Sequence, residues 1–316
     1  MKAKTFVSII VPAYNNESTI QRCIKSIYQN ETPIECIVVV NNSTDHTKQI
    51  LNRIKDDYPF LQIILSDAKG VSEARNVGLE HANGDIIGFC DADDFYADHA
   101  VDAVVAKFHQ YSADMIITGL YRTIIENGKM KRTGPQSTLH DRIISVKKAQ
   151  GLVLNHPDVM GSVCNKFYKA KIIRSINFNH TLTHCEDTHF NMQILKNQHL
   201  TILWSDLISY HYVLNPASTT TDNDRCYNSE NKLKYLIAIE KIRDEYKGNM
   251  HVKIETSYKI ATLCIENYHG DLSAERKRSL RKSLFSNYAY ILINFFKYGM
   301  IRNVKMIIKG LCIFFY

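Results

Sequence analysis

Residues 84–96 read GDIIGFCDADDFY, an apolar run followed at once by three carboxylates in four positions. The run from Ile86 to Cys90 is short, continuous and apolar, which predicts a buried β-strand. Asp91, Asp93 and Asp94 would then emerge at the carboxyl end of that strand, where open α/β sheets bind their ligands. The stretch therefore predicts both a sheet and the edge of the sheet at which chemistry takes place.

The three carboxylates need an explanation beyond the strand. Aspartate is common in turns and at helix N-caps, so a solvated acidic loop is one interpretation. Like charges this close repel one another unless a cation, a proton or N–H donors compensate them. Mg²⁺ or Mn²⁺ would do so, because hard cations bind carboxylate oxygens and share them with substrate phosphates.

Outward from this stretch, the first 120 residues alternate apolar runs with helical patterns. This alternation predicts βαβ units around a mostly parallel sheet, and thus an α/β fold flanked by helices. The predicted strands are Phe6–Val11, Glu35–Val40, Leu61–Leu65, Asp85–Cys90 and Asp114–Gly119. A hairpin or loop is expected over residues 121–139, and two further apolar runs, Leu200–Trp204 and Leu207–Val213, follow a helical pattern. From residue 228 onward the pattern is helical.

The composition is that of a soluble globular protein, with 316 residues, 45% of them hydrophobic and 22% charged. The eight cysteines form no CxxC pair, so we expect reduced thiols in a cytoplasmic protein. The N-terminal apolar run is short and ends at Pro12, which favours a first strand over a signal peptide.

Basic charge is concentrated at the C-terminus. Residues 276–316 contain nine Lys or Arg and no Asp or Glu, although the whole chain carries a net charge of only +7. Apolar residues recur there at three- and four-residue steps from Tyr288 to Leu311, which predicts a basic amphipathic helix pair. We expect it to lie on a membrane surface, with packing against the domain or another subunit as the alternative. The tail is too apolar for a nucleic-acid-binding segment.

Six segments, taken in order, resemble the landmarks of family 2 inverting glycosyltransferases with the GT-A fold. The segments are VSIIVPAYNNESTIQRCIKSI (7–27), VVVNNSTDHT (38–47), GVSEARNVGLEHANGDIIGFCDADDFY (70–96), CNKFYKAKII (164–173), CEDTHFNMQIL (185–195) and YHYVLNPASTT (210–220). The resemblance implies a GT-A nucleotide-sugar-binding and catalytic domain over residues 1–220. Residues 221–316 would form a helical C-terminal region that carries the basic tail.

The resemblance also assigns residues to the sugar-nucleotide donor. The expected nucleotide contacts are Pro12, Ala13, Tyr14, Glu17, Asn41, Asn42, Arg75, Asp91 and Ala92. Arg75 could instead form a buried ion pair with one of the aspartates. The family usually has two acidic residues and a glycine where this chain has Asn41 and Asn42, and this departure puts recognition of uracil in doubt.

The implied metal is Mn²⁺ or Mg²⁺, with Asp93 as main ligand, Asp91 as a second contact and His211 as a further candidate. Asp94 would support its neighbours or cap a helix. Asp187 is expected to act as the base that takes the acceptor proton, with Glu186 beside it. Lys166 could reach the sugar or acceptor, or be a surface lysine.

The implied activity is transfer of a sugar from a nucleoside-diphosphate sugar to a hydroxyl group, in a metal-assisted single displacement. The implied acceptor is a glycan or glycolipid, such as a lipid-linked bacterial surface polysaccharide. The enzyme would be cytoplasmic and bound peripherally to the inner leaflet of the membrane, and a homo-oligomer is left open. Two alternatives remain: a haloacid-dehalogenase-type phosphatase, suggested by FCDADDF, and a non-catalytic nucleotide-sugar-binding protein, suggested by the asparagine pair.

Overall fold

The computed structural model describes residues 5–67, 69–126, 129–133, 140–156, 159, 161–214, 229–246, 248–268 and 274–293. The chain divides into two units, one of residues 1–181 and 186–215 and the other of residues 182–185 and 216–316. The predicted division into domains at residue 220 remains a prediction.

A mixed sheet organises the first unit. Its strands are β1 Val7–Ala13, β2 Ile34–Asn41, β3 Leu61–Ser66, β4 Ile86–Phe89, β5 Phe95–Tyr96, β6 Met115–Glu126, β7 Lys129–Thr133, β8 Arg142–Ile144, β9 Lys166–Lys169 and β10 Ile202–Val213. The strand order is β3-β2-β1-β4-β9-β6-β10-β5, with β7 paired to β6 and β8 to β10. Strands β1 to β4 run parallel, and β9 joins β4 to β6 by antiparallel pairing. The predicted α/β class with a mostly parallel mixed sheet is confirmed.

Helices accompany these strands. They are α1 Ile20–Ile27, α2 Thr47–Ile54, α3 Val71–His81, α4 Ala100–Tyr111, α5 Val146–Asn155, α6 Ala170–Ile173 and α7 Glu186–Ile194. Strand β2 is buried along its whole length and β4 likewise, as expected of central strands covered on both faces. Gly78 of α3 lies so close to Ile10 of β1 that a Cβ atom would come within 2.3 Å of an Ile10 methyl carbon. This close approach packs α3 directly against β1.

The strand predictions are correct for β1 to β4 within two residues at each end, and the later strand is longer than predicted. The strand predicted at Asp114–Gly119 continues to Glu126, and β7 returns along it to form the expected hairpin. The two predicted runs at Leu200–Trp204 and Leu207–Val213 form one strand, β10. The register against β6 shifts between Trp204 and Ile208, and such an irregularity lets a strand continue through a polar step.

The second unit contains the helices α8 Ser229–Glu245, α9 Met250–Tyr268 and α10 Ala274–Ile293. Arg243 of α8 donates to the Asn287 side chain of α10 at 3.1 Å. The Ser283 hydroxyl of α10 donates to Glu240 of α8 at 3.0 Å. Within the described residues, no helix is long and apolar enough to cross a membrane. The amphipathic tail predicted from Tyr288 to Leu311 lies largely outside the described residues.

Candidate active site

The carboxyl edge of the sheet gathers both acidic motifs around one arginine. Arg75, on the buried face of α3, is only 3% exposed. Its Nη2 atom donates to Asp91 Oδ1 at 2.9 Å, and its Nη1 atom donates to Asp187 Oδ1 at 2.6 Å and to Glu186 Oε1 at 3.3 Å. A forked guanidinium is suited to such bridging, because its donors diverge in one plane. Of the two expectations for Arg75, the buried ion pair is confirmed and extends to three carboxylates.

Asp187 lies in the first turn of α7, where the helix dipole favours a negative charge. Its side chain is 18% exposed, and its second oxygen, Oδ2, accepts from the backbone N–H of Val163 at 3.2 Å. Burial raises the pKa of Asp187 to about 7, opposed by Arg75 and the Val163 N–H, while Glu186 and Asp91 raise it further. A carboxylate with a pKa near neutrality is suited to accept a proton in catalysis.

The acidic loop after β4 is held in place from two sides. Asp94 is buried and accepts from the Tyr210 hydroxyl at 2.8 Å and from the Val213 N–H at 2.7 Å, both on β10. The guanidinium of Arg22, on α1, donates to the carbonyl oxygen of Asp93. Asp94 therefore supports the loop, as expected, but through β10 and without capping a helix. The side chain of Asp93 does not take part in either contact.

Burial and the repulsion between neighbouring carboxylates raise the pKa values of Asp93 and Asp94. Burial, together with the charge of Asp91, raises the pKa of Asp93 to about 6, and Arg22 lowers it. Burial also raises the pKa of Asp94, and the charges of Asp93 and Asp91 add to that shift. Among the described residues, no group of three or more His, Cys, Asp or Glu side chains is close enough to hold a metal ion.

His211, a candidate metal ligand, is buried in β10. Its Nδ1 atom lies 2.9 Å from the Thr123 hydroxyl, and its ring stacks on Phe95 with the centroids 4.4 Å apart. Burial and the nearby Arg132 lower the pKa of His211 to about 4, so the imidazole is neutral at pH 7. The Nδ1 atom is thus engaged with Thr123, and a role in metal binding stays a prediction that depends on the other ring nitrogen.

The other residues predicted for the nucleotide lie at the ends of β1 and β2 and on the loops that follow them. Tyr14 is 61% exposed, and Pro12 and Ala13 end strand β1. The Glu17 carboxylate accepts from the backbone N–H of His46, the residue before α2, at 2.9 Å.

The asparagine pair replaces the usual acidic residues at the end of β2. Asn41 is buried, and its amide donates to the Gly70 carbonyl at 3.2 Å, where Gly70 begins α3 with a φ of 90°. Asn42 has a φ of 53° and donates to the Asn41 side chain at 3.4 Å. The pair connects β2 to the N-terminus of α3 with uncharged groups. Ala92 is buried inside the acidic loop.

Sequence reasoning missed two supporting residues, Tyr210 and Arg22, and was wrong about the surroundings of Lys166. Tyr210 bridges the Asp94 carboxylate and the Asp91 N–H, and Arg22 holds the Asp93 carbonyl. Lys166 is fully buried, so the expectation of a surface lysine is wrong. No local signal marks these roles, because each depends on a partner far away in the sequence.

Solved structures identify the class of fold. The Staphylococcus aureus TarS fragment 1–349 in complex with UDP-GlcNAc matches with a TM-score of 0.58 over 96% of this chain and 79% of that chain, at 18% identity. A mannosyltransferase from Pyrobaculum calidifontis, in complex with GDP-Man and Mn²⁺, matches with a TM-score of 0.50 at 15% identity. The match covers 100% of this chain and 82% of the mannosyltransferase chain. The fold is therefore the GT-A fold of glycosyltransferases, as predicted.

Sequence comparison identifies the family. Residues 8–176 match the model of glycosyl transferase family 2, and the chain belongs to that family. The Bacillus subtilis glycosyltransferase EpsJ is 27% identical over 220 residues, which are 68% of this chain and 62% of EpsJ. The chain spans between 25% and 62% of the length of the first curated relatives that it matches.

Proposed function

We propose that the protein transfers a sugar from a nucleoside-diphosphate sugar to an acceptor hydroxyl, with inversion, and that Asp187 is the catalytic base. The observation that carries this proposal is the bridge made by Arg75. It joins the acidic loop after β4 to the first turn of α7, although Arg75 and Asp187 are 112 positions apart. A leaving diphosphate and a proton-accepting carboxylate must flank one anomeric carbon in a single displacement, and the bridge supports such a placement.

The donor end of the site would be formed by the loops after β1, β2 and β4. Tyr14 offers an exposed aromatic face, and Asp91 keeps one carboxylate oxygen beyond its bond to Arg75. A nucleoside-diphosphate sugar agrees with the UDP-GlcNAc in the TarS structure. Asn41 and Asn42 carry no charge, so the donor base is the least constrained part of the proposal.

The side chains of this loop fit a divalent cation bound together with the donor. Asp93 and Asp91 supply hard carboxylate oxygens. Burial, and after it the charge of Asp91, raises the pKa of Asp93, and a bound cation would favour its ionised form. Since no three-ligand group exists among the described residues, the donor phosphates would complete the coordination. Mn²⁺ or Mg²⁺ would stabilise the charge of the departing diphosphate. Asp93 and Asp91 would hold the ion, whereas His211 forms no three-ligand group with them among the described residues.

Asp187 would take the acceptor proton as the new glycosidic bond forms. Arg75 and the Val163 N–H hold its two oxygens, so that the carboxylate has a fixed orientation. Glu186, next to it on α7, would orient Asp187 or contact the acceptor. The dipole of α7 and the guanidinium of Arg75 favour the ionised form that a base requires.

The proposal also covers the acceptor and the location of the enzyme in the cell. A lipid-linked bacterial surface glycan as acceptor, and peripheral attachment to the cytoplasmic membrane, are supported by the basic residues of 276–316. Membership of family 2 argues against the phosphatase alternative and against a non-catalytic binding protein.

The test measures nucleoside-diphosphate release from a panel of nucleotide sugars with Mn²⁺. Asp187→Asn keeps the shape of the side chain and removes the base, so we expect activity to fall by about 10²–10⁴-fold. Glu80→Gln, at an exposed glutamate of α3, is the matched control and should retain activity. Full activity in Asp187→Asn, or release of inorganic phosphate from simple esters, would overturn the proposal.

A further inference from the structure

Lys166 begins strand β9 and has no exposed surface. Its Nζ atom donates to the carbonyl oxygens of Val159 at 3.0 Å and of Ser162 at 2.5 Å. It also donates to the side-chain oxygen of Asn165 at 2.9 Å. A lysine is almost never fully buried without such partners, because its charged group loses its hydration. Three oxygens around one amine show a site built to hold it.

Two of the oxygens bound by Lys166, the Ser162 carbonyl and the Asn165 side-chain oxygen, belong to the segment that supports α7. We call residues 161–165 the 161–165 loop. Its Val163 N–H donates to Asp187 Oδ2 at 3.2 Å, and its Gly161 carbonyl accepts from the Asn191 side chain of α7 at 2.6 Å. Gly161 also packs so closely on Thr188 that a Cβ atom would lie 1.7 Å from the Thr188 hydroxyl. The loop therefore contacts α7 at three residues around the proposed base.

We propose that Lys166 is a positioning residue for Asp187: its buried amine holds the 161–165 loop in the shape that presents the Val163 N–H to the base. This inference rests on the proposed function, because it assigns a role relative to Asp187. Lys166 itself is too deeply buried to touch a bound sugar or acceptor. It acts through backbone carbonyls and a single N–H donor.

Lys166 can form its hydrogen bonds to the 161–165 loop in either protonation state. Burial lowers the pKa of Lys166 to about 7, and the negative charge of Asp187 opposes that shift. An ammonium offers three N–H donors and a neutral amine two, so both forms can hydrogen-bond the loop carbonyls. Removing the nitrogen altogether would leave buried carbonyl oxygens without their donor, which is unfavourable for the observed loop shape.

The experiment compares Lys166→Met and Lys166→Gln with the wild type, in steady-state assays of nucleoside-diphosphate release. We expect kcat to fall by about 10–100-fold while the donor KM changes by less than about threefold, since the loop positions the base and not the donor. Lys166→Gln keeps a donor group and should lose less activity than Lys166→Met. Lys107→Met is the matched control: Lys107 is a partly buried lysine paired with Asp141, and this variant should keep its kcat.

A background with Asp187→Asn separates a positioning role from a merely structural one. If Lys166 acts through Asp187, adding Lys166→Gln to Asp187→Asn should reduce the residual activity by less than about twofold. A full additional loss would show that Lys166 acts elsewhere and would overturn the inference. Wild-type kcat in both lysine variants would overturn it as well, while leaving the proposed function intact. Unchanged activity in Asp187→Asn alone would instead refute the proposed function.

Ser162→Ala covers the case in which both lysine variants fail to fold by circular dichroism. The Ser162 hydroxyl accepts from the Cys164 N–H at 3.1 Å inside the loop, and this side chain is only half-buried. Its loss should loosen the loop without emptying the lysine site. We expect a kcat about 3–10-fold below the wild type with an unchanged melting temperature. An unchanged kcat in this variant would then overturn the inference.

Discussion

Replacing Arg75 with methionine should destabilise the protein because it leaves the carboxylates of Asp91, Glu186 and Asp187 without their shared cation. Breaking a buried ion pair by removing one partner costs about 3–5 kcal/mol. The carboxylates are 17–35% exposed, so water compensates in part and we expect about 3 kcal/mol of lost unfolding free energy. This loss corresponds to a melting temperature lower by about 6–12 °C for a unit of this size.

The sign of the pH dependence follows from the pKa of Asp187. It already lies above the usual value for aspartate, and loss of the guanidinium would raise it further. The folded variant retains a proton that the unfolded chain releases above about pH 4, so its stability falls from there upward. It keeps falling beyond pH 7, where the wild type, with its lower folded pKa, levels off. At pH 5 the carboxyl group is protonated in both folded proteins. The deficit of Arg75→Met relative to the wild type should therefore be larger at pH 8 than at pH 5.

Urea denaturation at pH 5 and pH 8 measures this deficit. Arg53→Met, at an exposed arginine of α2, is the matched control and should change the unfolding free energy by less than about 0.5 kcal/mol. Adding Asp187→Asn to Arg75→Met removes one unpaired charge, so it should restore about 1–2 kcal/mol. A deficit equal at both pH values, together with strictly additive effects of the two substitutions, would refute the proposed role of the bridge.

Three further outcomes are expected. The kcat of the wild type should fall about tenfold per pH unit below about pH 7, because a protonated Asp187 cannot take the acceptor proton; a profile flat from pH 5 to pH 8 would contradict the assigned base. Gly161→Ala should lower the unfolding free energy by about 1–3 kcal/mol, because the added Cβ atom would collide with Thr188. Thermal or urea denaturation measures this change, and an unchanged stability would show that α7 can shift. Deletion of the chain after Asn287 should abolish co-sedimentation with anionic vesicles while leaving nucleotide affinity unchanged; continued sedimentation would assign the tail to packing within the protein.

The sequence alone determined the strands of the parallel half and the position of the acidic motifs on them. The run before Asp91 is apolar and short enough to be a central strand, and β4 is buried throughout. Because carboxylates at the end of such a strand lie at the ligand-binding edge, the location of the site could be predicted from local pattern. The position of Asp187 in the first turn of a helix could also be predicted, because helix starts have local sequence signals.

Only the tertiary structure decided how these groups are connected. Arg75 meets Asp91 across 16 positions and Asp187 across 112, and this meeting depends on the packing of α3 against β1 and on the return of the chain to α7. The sequence does not distinguish Lys166 from a surface lysine either, because its burial depends on carbonyl groups that the fold brings to its amine. Local periodicity reports which face of an element is apolar, whereas the pairing of buried charges depends on contacts between distant elements.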